Sequence, residues 1–353
     1  MNSPAQNKDF DPGGVGLKNG NFIGLPFTPD NARVVFIPVP WDVTASSHAG
    51  TAGGPQAILD ASVQLDLFDP DVKDAWKVGV FMEPSDELIK SKSKHWRVKA
   101  ARGIDFLENG GSLSRNPSMA REVEEINEAC RQMNDWVYTM SKKRLDEGKV
   151  VGIVGGDHSV PLGYLKALGE KHKDFGVLQI DAHFDLRESY QGFTYSHASV
   201  FFNALKNLSI SRLVPVAIRD FCEEEAIRAE TSGERVFFYT DQHLKENRFQ
   251  GMSWNDQCAM IISRLPDDVY VSIDVDGLDP SLCPETGTPV PGGLAFQETL
   301  FLLKQVMESG RKIIGFDVCE TGNKEWDANV ASRLLYKLSI LAVESQNRAG
   351  YVS

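Results

Sequence analysis

The chain has 353 residues, 42% of them hydrophobic, and a formal net charge of -12 at pH 7. A chain of this length and apolar content can bury one large core, and its acidic balance argues against a nucleic-acid or anionic-membrane partner, because phosphate binding requires a basic surface. The five cysteines are scattered and form no CxxC pair, so the sequence supports neither a disulfide framework nor a thiolate zinc site.

The first predicted element is an extended N-terminal arm. Residues 1–30 are rich in Gly, Asn and Pro, whereas residues 31–353 are predicted to form a single domain. No apolar run approaches the roughly 18 residues that a membrane helix needs. The first residues also lack the basic and then apolar pattern of a signal peptide, so we expect a cytoplasmic protein without a membrane partner.

From residue 31 onward, short apolar runs alternate with longer amphipathic ones. Strands are predicted at 33–39, 77–82, 149–154, 176–181, 212–218, 235–239, 268–273 and 312–318. Helices are predicted at 55–66, 120–147, 159–172, 255–264, 296–308 and 327–345, and the basic segment 90–102 reads as a solvated helix face. Alternation of this kind, with strands rich in Val and Ile, favours a mostly parallel sheet covered by helices.

Polar motifs follow four of these strands at the carboxyl end, where ligands bind in parallel α/β sheets. The motifs are "GGDHS" (155–159), "DAHFD" (181–185), "DVDGLDPS" (274–281) and the single acid Glu320. Each of the three longer motifs alone has an ordinary alternative, such as a turn, a hydrogen-bonded cluster or a helix cap. Together they place two His and four Asp at three adjacent strand ends, which none of those alternatives requires.

The DAHFD motif raises the sharpest question, because it continues an apolar strand. If the strand ran on, Asp181, His183 and Asp185 would point to the same face and converge on one small volume. Burying unpaired carboxylates is costly, and the usual remedies are cationic partners or a metal.

The donor types narrow the chemistry to metal-assisted hydrolysis. Four carboxylates and two neutral imidazoles carry four negative charges, which two divalent cations would neutralise. An oxygen-rich set without thiolates favours Mn-like ions, and the imidazoles also admit Ni, Zn, Co or Fe. Two ions bridged by carboxylates share one water and lower its pKa.

These motifs resemble the ureohydrolase superfamily of arginase, agmatinase, guanidinobutyrase and formimidoylglutamase over residues 31–345. GGDHS, DAHxD and SxDxDxxDPxxxP occur in this order and are followed by GxDxxE. The resemblance implies a three-layer α/β/α sandwich in trimers or hexamers, with copies of itself or with a homologous subunit. It implies two divalent ions, Ni²⁺ or Mn²⁺, held by His158 and Asp185 at one site and by His183 and Asp276 at the other, with Asp181 and Asp274 bridging both.

The resemblance also implies roles beyond the ligands. His197, in "YSHAS", matches a histidine that relays a proton toward the leaving amine, and Glu320 matches the acid that pairs with the substrate guanidinium. A hydrogen-bonded loop histidine and a helix-capping glutamate are the ordinary alternatives. Asp185 is counted as catalytic as well as a ligand, and Asp157 is expected to support His158, because ligating histidines usually donate their other N–H to a carboxylate.

Departures from the family pattern favour a compact substrate. The loop "LRESYQGFTYSHAS" (186–199) lacks the Ser-Gly-Asn type sequence by which arginases recognise an α-amino acid, and Ala198 and Glu285 depart from the agmatinase pattern. This loop and the segment "PVPWDVTASSHAGTAGGP" (38–55) resemble the branch of guanidine and metformin hydrolases, which favour nickel. His48 and Trp41 are expected to line a compact pocket, although each would equally suit packing or solvent exposure.

We therefore expect hydrolysis of guanidine, a small N-alkylguanidine or a biguanide such as metformin, with release of urea or a substituted urea. Agmatinase, guanidinobutyrase and formimidoylglutamase activities are the alternatives within the family. A catalytically silent subunit of a hetero-oligomer would be expected to lack ligands, and all six are present. A single-metal deacetylase-type hydrolase is disfavoured by the complete DAHxD and DxD pairs.

Overall fold

The computed structural model describes residues 10–350, without the side chains of 349 and 350. Residues 1–9 of the predicted arm and 351–353 of the predicted domain lie outside this range. The strands are β1 (Val34–Val39), β2 (Val80–Met82), β3 (Val150–Gly155), β4 (Phe175–Ile180), β5 (Ile210–Ile218), β6 (Tyr239–Thr240), β7 (Asp268–Asp274) and β8 (Lys312–Cys319). They pair in the order β2-β1-β3-β8-β7-β4-β5-β6, and every pairing is parallel.

Helices cover both faces of this sheet. They are α1 (Gly54–Ser62), α2 (Glu87–Glu108), α3 (Pro117–Asp146), α4 (Leu162–Lys171), α5 (Val200–Asn207), α6 (Glu223–Glu230), α7 (Asp241–Phe249), α8 (Trp254–Ile262), α9 (Phe296–Glu308) and α10 (Glu325–Gly350). Phe36 of β1 packs into the core under α1, α9 and α10, whereas the next residue, Ile37, packs into the core under α2, α3 and α4. The three-layer α/β/α sandwich is confirmed. None of the helices within residues 10–350 has both the length and the apolar character of a membrane span.

Local differences from the predicted elements occur near the sheet edge. Only Tyr239 of the predicted strand 235–239 belongs to a strand, and Val236 forms an isolated bridge instead. The short helices α5, α6 and α7 were not predicted. α7 buries only Asp241 and Leu244, whereas α5 buries four of its eight residues. All three helices have only eight or nine residues, so each spans too few turns to give a clear periodic signal.

Residues 10–30 of the predicted arm pack against the domain around one buried side chain. The Asn21 amide nitrogen donates to the carbonyls of Leu25 (2.8 Å) and Val80 (3.1 Å). Its amide oxygen accepts the main-chain N–H groups of Phe22 (2.8 Å) and Met82 (2.9 Å). The same side chain therefore closes the turn of the arm and ties it to β2, at the edge of the sheet.

Replacing Asn21 with alanine is expected to destabilise the protein, because the change leaves several buried backbone groups without partners, at about 1–3 kcal/mol per group. Asn207→Ala is the matched control, since that exposed amide donates only to Asn203 within its own helix and surface changes usually stay within about 0.5 kcal/mol. Denaturant unfolding followed by circular dichroism compares the two. Equal midpoints for both variants would contradict this role of Asn21.

Candidate metal centre

The site residues lie at the carboxyl ends of four neighbouring strands in the middle of the sheet. His158 follows β3, Asp181 follows β4, Asp274 ends β7 and Glu320 follows β8. The expectation that the three strands carrying the metal motifs are adjacent was wrong, because β8 pairs with both β3 and β7 and separates them. This arrangement inserts Glu320 between the strands that carry the metal ligands.

The DAHFD motif converges through a loop and not through an extended strand. β4 ends at Ile180, so the strand alternation assumed for the motif does not apply. Asp185 adopts a left-handed backbone with φ of 54°, a conformation that is uncommon for a residue other than glycine. Phe184 turns away from the site and packs on the rings of Phe221 and Phe238.

A first cluster of donors surrounds the Nδ1 atom of His158. This atom is buried and has no hydrogen-bond partner among the described residues. It lies 3.0 Å from a carboxylate oxygen of Asp181, 3.0 Å from one of Asp185 and 3.4 Å from one of Asp274. A ring nitrogen and three carboxylate oxygens thus face one small volume.

A second cluster shares Asp181 with the first. The Oδ2 atom of Asp181 faces His158, whereas its Oδ1 atom lies 3.6 Å from Nδ1 of His183. The same His183 nitrogen is 3.1 Å from Oδ2 of Asp276. The geometry brings all six predicted ligands together, and Asp181 offers one oxygen to each cluster. Asp274 lies at the first cluster, and its bridging role stays a prediction.

Backbone contacts hold the two acidic loops against each other. The Ala182 N–H donates to Oδ1 of Asp276 (3.0 Å), and the Asp276 N–H donates to Asp274 (2.9 Å). A Cβ atom on Gly277 would lie 2.4 Å from the Asp181 nitrogen, so only glycine permits this close approach. The ligand positions are therefore fixed by the loops themselves.

Ser272 and Asp317 orient His158 from beneath. The Nε2 atom of His158 lies 2.9 Å from the Ser272 hydroxyl and 3.7 Å from an Asp317 oxygen. Asp157 was expected to have this role, but its carboxylate accepts instead from Ser159 and Thr44. The role of Ser272 was not predicted, although it is the first residue of the SxDxD motif.

The charges of the cluster favour cations beside the carboxylates. Burial opposes the charged form of His158, but contacts with Asp181 and Asp185 outweigh it and raise the imidazole pKa well above its ordinary value. Burial, followed by the charge of Asp181, raises the pKa of Asp185 to about 7. Burial and the neighbouring Asp276 likewise raise the pKa of Asp274 well above its usual range. The unpartnered Nδ1 of His158 and the crowded carboxylates fit a pair of divalent ions.

Glu320 and His197 flank this centre on two sides. The buried Glu320 accepts the His158 N–H (3.0 Å) through one oxygen, while its other oxygen has no partner among the described residues. His197 lies 3.3 Å from the Ser46 hydroxyl through Nε2. Burial, and then the charge of His183, lowers the pKa of the His197 imidazole to about 3.

A cavity of about 150 Å³ opens beside the donors, and its walls include Ser46, His183, Asp185, Arg187, Tyr190, His197, Asp220, Glu225 and Thr288.

Trp41 is not on these walls: only 1% of it is exposed, and it packs in the core under α2 and α3. His48 is not on these walls either: it is exposed, and its main-chain N–H donates to the Gly287 carbonyl (3.4 Å) near the free oxygen of Glu320. Arg187 and Tyr190 were not predicted as site residues, although both lie in the loop 186–199.

Proteins of known sequence are similar to this chain over most of its length. The sequence model of the arginase family matches residues 32–339. The N(1)-aminopropylagmatine ureohydrolase of Thermus thermophilus is 32% identical over 309 residues, or 87% of this chain and 89% of that protein. The agmatinase of Bacillus anthracis is 26% identical over 293 residues, which cover 82% of this chain and 84% of the relative.

Solved structures show the same fold. The proclavaminate amidino hydrolase of Streptomyces clavuligerus superposes with a TM-score of 0.71 at 23% identity, covering 94% of this chain and 99% of that one. The agmatine ureohydrolase of Thermoplasma volcanium gives a TM-score of 0.70 at 22% identity and covers 94% and 97% of the two chains.

Replacing Ser272 with alanine is expected to weaken metal binding by about 10–100-fold, as the loss of a partner of a ligating histidine typically does. Isothermal titration of the metal-free protein with Mn²⁺ or Ni²⁺ measures the change directly. Ser281→Ala is the control, since Ser281 is an exposed donor to Asp279 outside the two clusters. An unchanged affinity for Ser272→Ala would mean that another contact orients His158.

Metal analysis is expected to find two divalent ions per chain, because two donor clusters share a single carboxylate. The protein is loaded with Mn²⁺ or Ni²⁺, desalted and measured by inductively coupled plasma mass spectrometry. His183→Ala removes a donor from the second cluster alone and should leave one tightly held ion. One ion in the fully loaded parent protein would show that the clusters act as one site.

Proposed function

The chain belongs to the arginase family, and we propose that it hydrolyses a C–N bond of guanidine, a small N-alkylguanidine or a biguanide such as metformin. The products are urea or a substituted urea, together with ammonia or an amine. The observation that carries this proposal is the free carboxylate oxygen of Glu320, buried beside a donor set for two ions. A planar guanidinium with paired N–H donors is a suitable partner for such an oxygen.

The six ligands named above would hold two divalent ions, Mn²⁺ or Ni²⁺. Such ions supply Lewis acidity and an activated water to the hydrolysis of a planar carbon. Asp185 contributes to this chemistry as a ligand of the first cluster. The remaining residues have to bind, orient and protonate the substrate.

Glu320 is the proposed partner of the substrate cation. Its backbone, directly after β8, adopts a positive φ of 59°. A Cβ atom on Gly287 would lie 3.0 Å from its free oxygen, so glycine at this position avoids crowding that oxygen. Burial, and then the charge of Asp157, raises the pKa of Glu320 well above its usual value. A guanidinium beside it would restore the ionised form.

His197 is the proposed donor of a proton to the leaving nitrogen. It lines the cavity, and its Nε2 atom contacts the Ser46 hydroxyl, which lines the same cavity. The His197 imidazole is neutral in the resting site. In contact with the Ser46 hydroxyl, it can relay a proton to the leaving nitrogen.

The size of the cavity supports a compact substrate. Its volume of about 150 Å³ is small beside the roughly 300–1,000 Å³ of typical pockets for drug-sized ligands. Guanidine and methylguanidine have few atoms and need no remote anchor. An arginine tail would bring both an ammonium and a carboxylate into this small volume, and burial of either group without a full set of partners costs several kcal/mol, roughly.

A second candidate is hydrolysis of an amine-bearing guanidine, as in the named relatives. The observation in its favour is Asp220, an exposed carboxylate on the cavity wall that lies 3.8 Å from Nε2 of His183. Such a carboxylate is a suitable partner for a substrate ammonium group.

A panel of substrates separates these candidates. Urea or substituted urea release from guanidine, methylguanidine and metformin is expected to exceed that from arginine and agmatine in kcat/KM, by roughly a hundredfold for arginine. Loading with Mn²⁺ and with Ni²⁺ is compared in parallel. Higher activity on agmatine than on any small guanidine would favour the second candidate.

Asp274→Asn is the control for this panel. The change removes one charge from the first cluster while preserving the size of the side chain, so turnover is expected to fall below about a tenth of the parent value. Circular dichroism confirms that the variant is folded.

A further inference from the structure

We infer that Arg187 selects substrates by the charge of their tail, so that a guanidino compound with an anionic tail is accepted over one of equal length with a cationic tail. This inference rests on the proposed function, since it concerns the same cavity.

Arg187 is held in place on the cavity wall. Its main-chain N–H donates to the Ala198 carbonyl (3.1 Å), which closes the base of the loop. Its guanidinium carbon lies 4.8 Å from the centre of the Tyr190 ring, and its Nε atom is 3.5 Å from an oxygen of Glu225. A cation clamped between a ring and a carboxylate keeps its position when a substrate enters.

The cation, and not its acidic partner, is the group that a substrate tail meets. The Arg187 side chain is 35% exposed, whereas that of Glu225 is 4% exposed. Glu225 is occupied with the main-chain N–H groups of Leu186 (3.1 Å) and Cys222 (3.2 Å) at the start of α6. Glu225 also lines the cavity, but its side chain is almost fully buried and its oxygens are held by these two N–H groups, so Arg187 is the more exposed charge of the pair.

Among the described residues that line the cavity, Arg187 is the one cationic side chain that is not a predicted metal ligand. Asp220 lies beside His183, whose imidazole belongs to the second cluster. Burial keeps the pKa of His197 low, so its ring adds no charge at neutral pH. Like charges placed together at an interface cost several kcal/mol, roughly, and opposite charges are drawn together. A tail directed toward Arg187 is thus favoured when it carries a carboxylate.

The test uses 4-guanidinobutyrate and agmatine, which have tails of nearly equal length and opposite charge, with methylguanidine as the uncharged reference. The ratio of kcat/KM for 4-guanidinobutyrate to that for agmatine is expected to be at least about tenfold in the parent protein. Arg187→Gln should lower this ratio at least about fivefold, Arg187→Glu should invert it, and Arg187→Lys should keep its direction.

Arg228→Gln is the matched control. The guanidinium of Arg228 donates to the Leu186 carbonyl of the same loop and stacks on Phe202, but it does not line the cavity. The control should leave the ratio within about twofold, because it perturbs the loop without changing the charge in the cavity. An equal fall in the ratio for Arg228→Gln and Arg187→Gln would show that loop structure sets the preference, which overturns the inference.

Three further outcomes are decisive. A parent protein that prefers agmatine, or an Arg187→Gln ratio unchanged from the parent while methylguanidine is still cleaved, overturns this inference and leaves the proposed hydrolase intact. Absence of urea or substituted urea from every guanidine in the metal-loaded protein overturns the proposed function and this inference with it.

Discussion

The close approach of four buried carboxylates to two imidazoles is the constraint on which the rest of the site depends. Charges of one sign are not stable at such separations in a dry interior without compensation. The protein meets this constraint by fixing the loops with backbone hydrogen bonds, by omitting a side chain at Gly277 and by supporting His158 through Ser272. The sheet supplies the common edge where these loops meet.

Much of this arrangement could be predicted from the sequence. Strands rich in Val and Ile predicted the parallel sheet, and motifs at their ends predicted the six ligands, because carboxyl ends of parallel strands share one edge. The strand order was not predictable in this way: nothing local in the sequence indicates that β8 inserts between β3 and β7. The order is set by packing between distant segments.

The backbone conformation of two site residues was the second feature that could not be predicted from the sequence. Asp185 and Glu320 both adopt positive φ, which costs of the order of 1–3 kcal/mol for residues of this kind. Positive φ is most often found at glycine or asparagine, so an aspartate and a glutamate carry no sequence signal for this conformation. Trp41 shows the converse error: its place in a loop suggested a pocket, but its large apolar ring is accommodated in the core.

The division of Asp181 between the two clusters makes the two ion sites interdependent. One carboxylate oxygen faces each cluster, so an ion that orients this side chain at one site also fixes the oxygen presented to the other. Occupancy of the two sites would then be thermodynamically linked, and such linkage is reciprocal. Removal of one ion by a chelator would change the affinity of the other site, so resistance to chelation becomes a property of the pair.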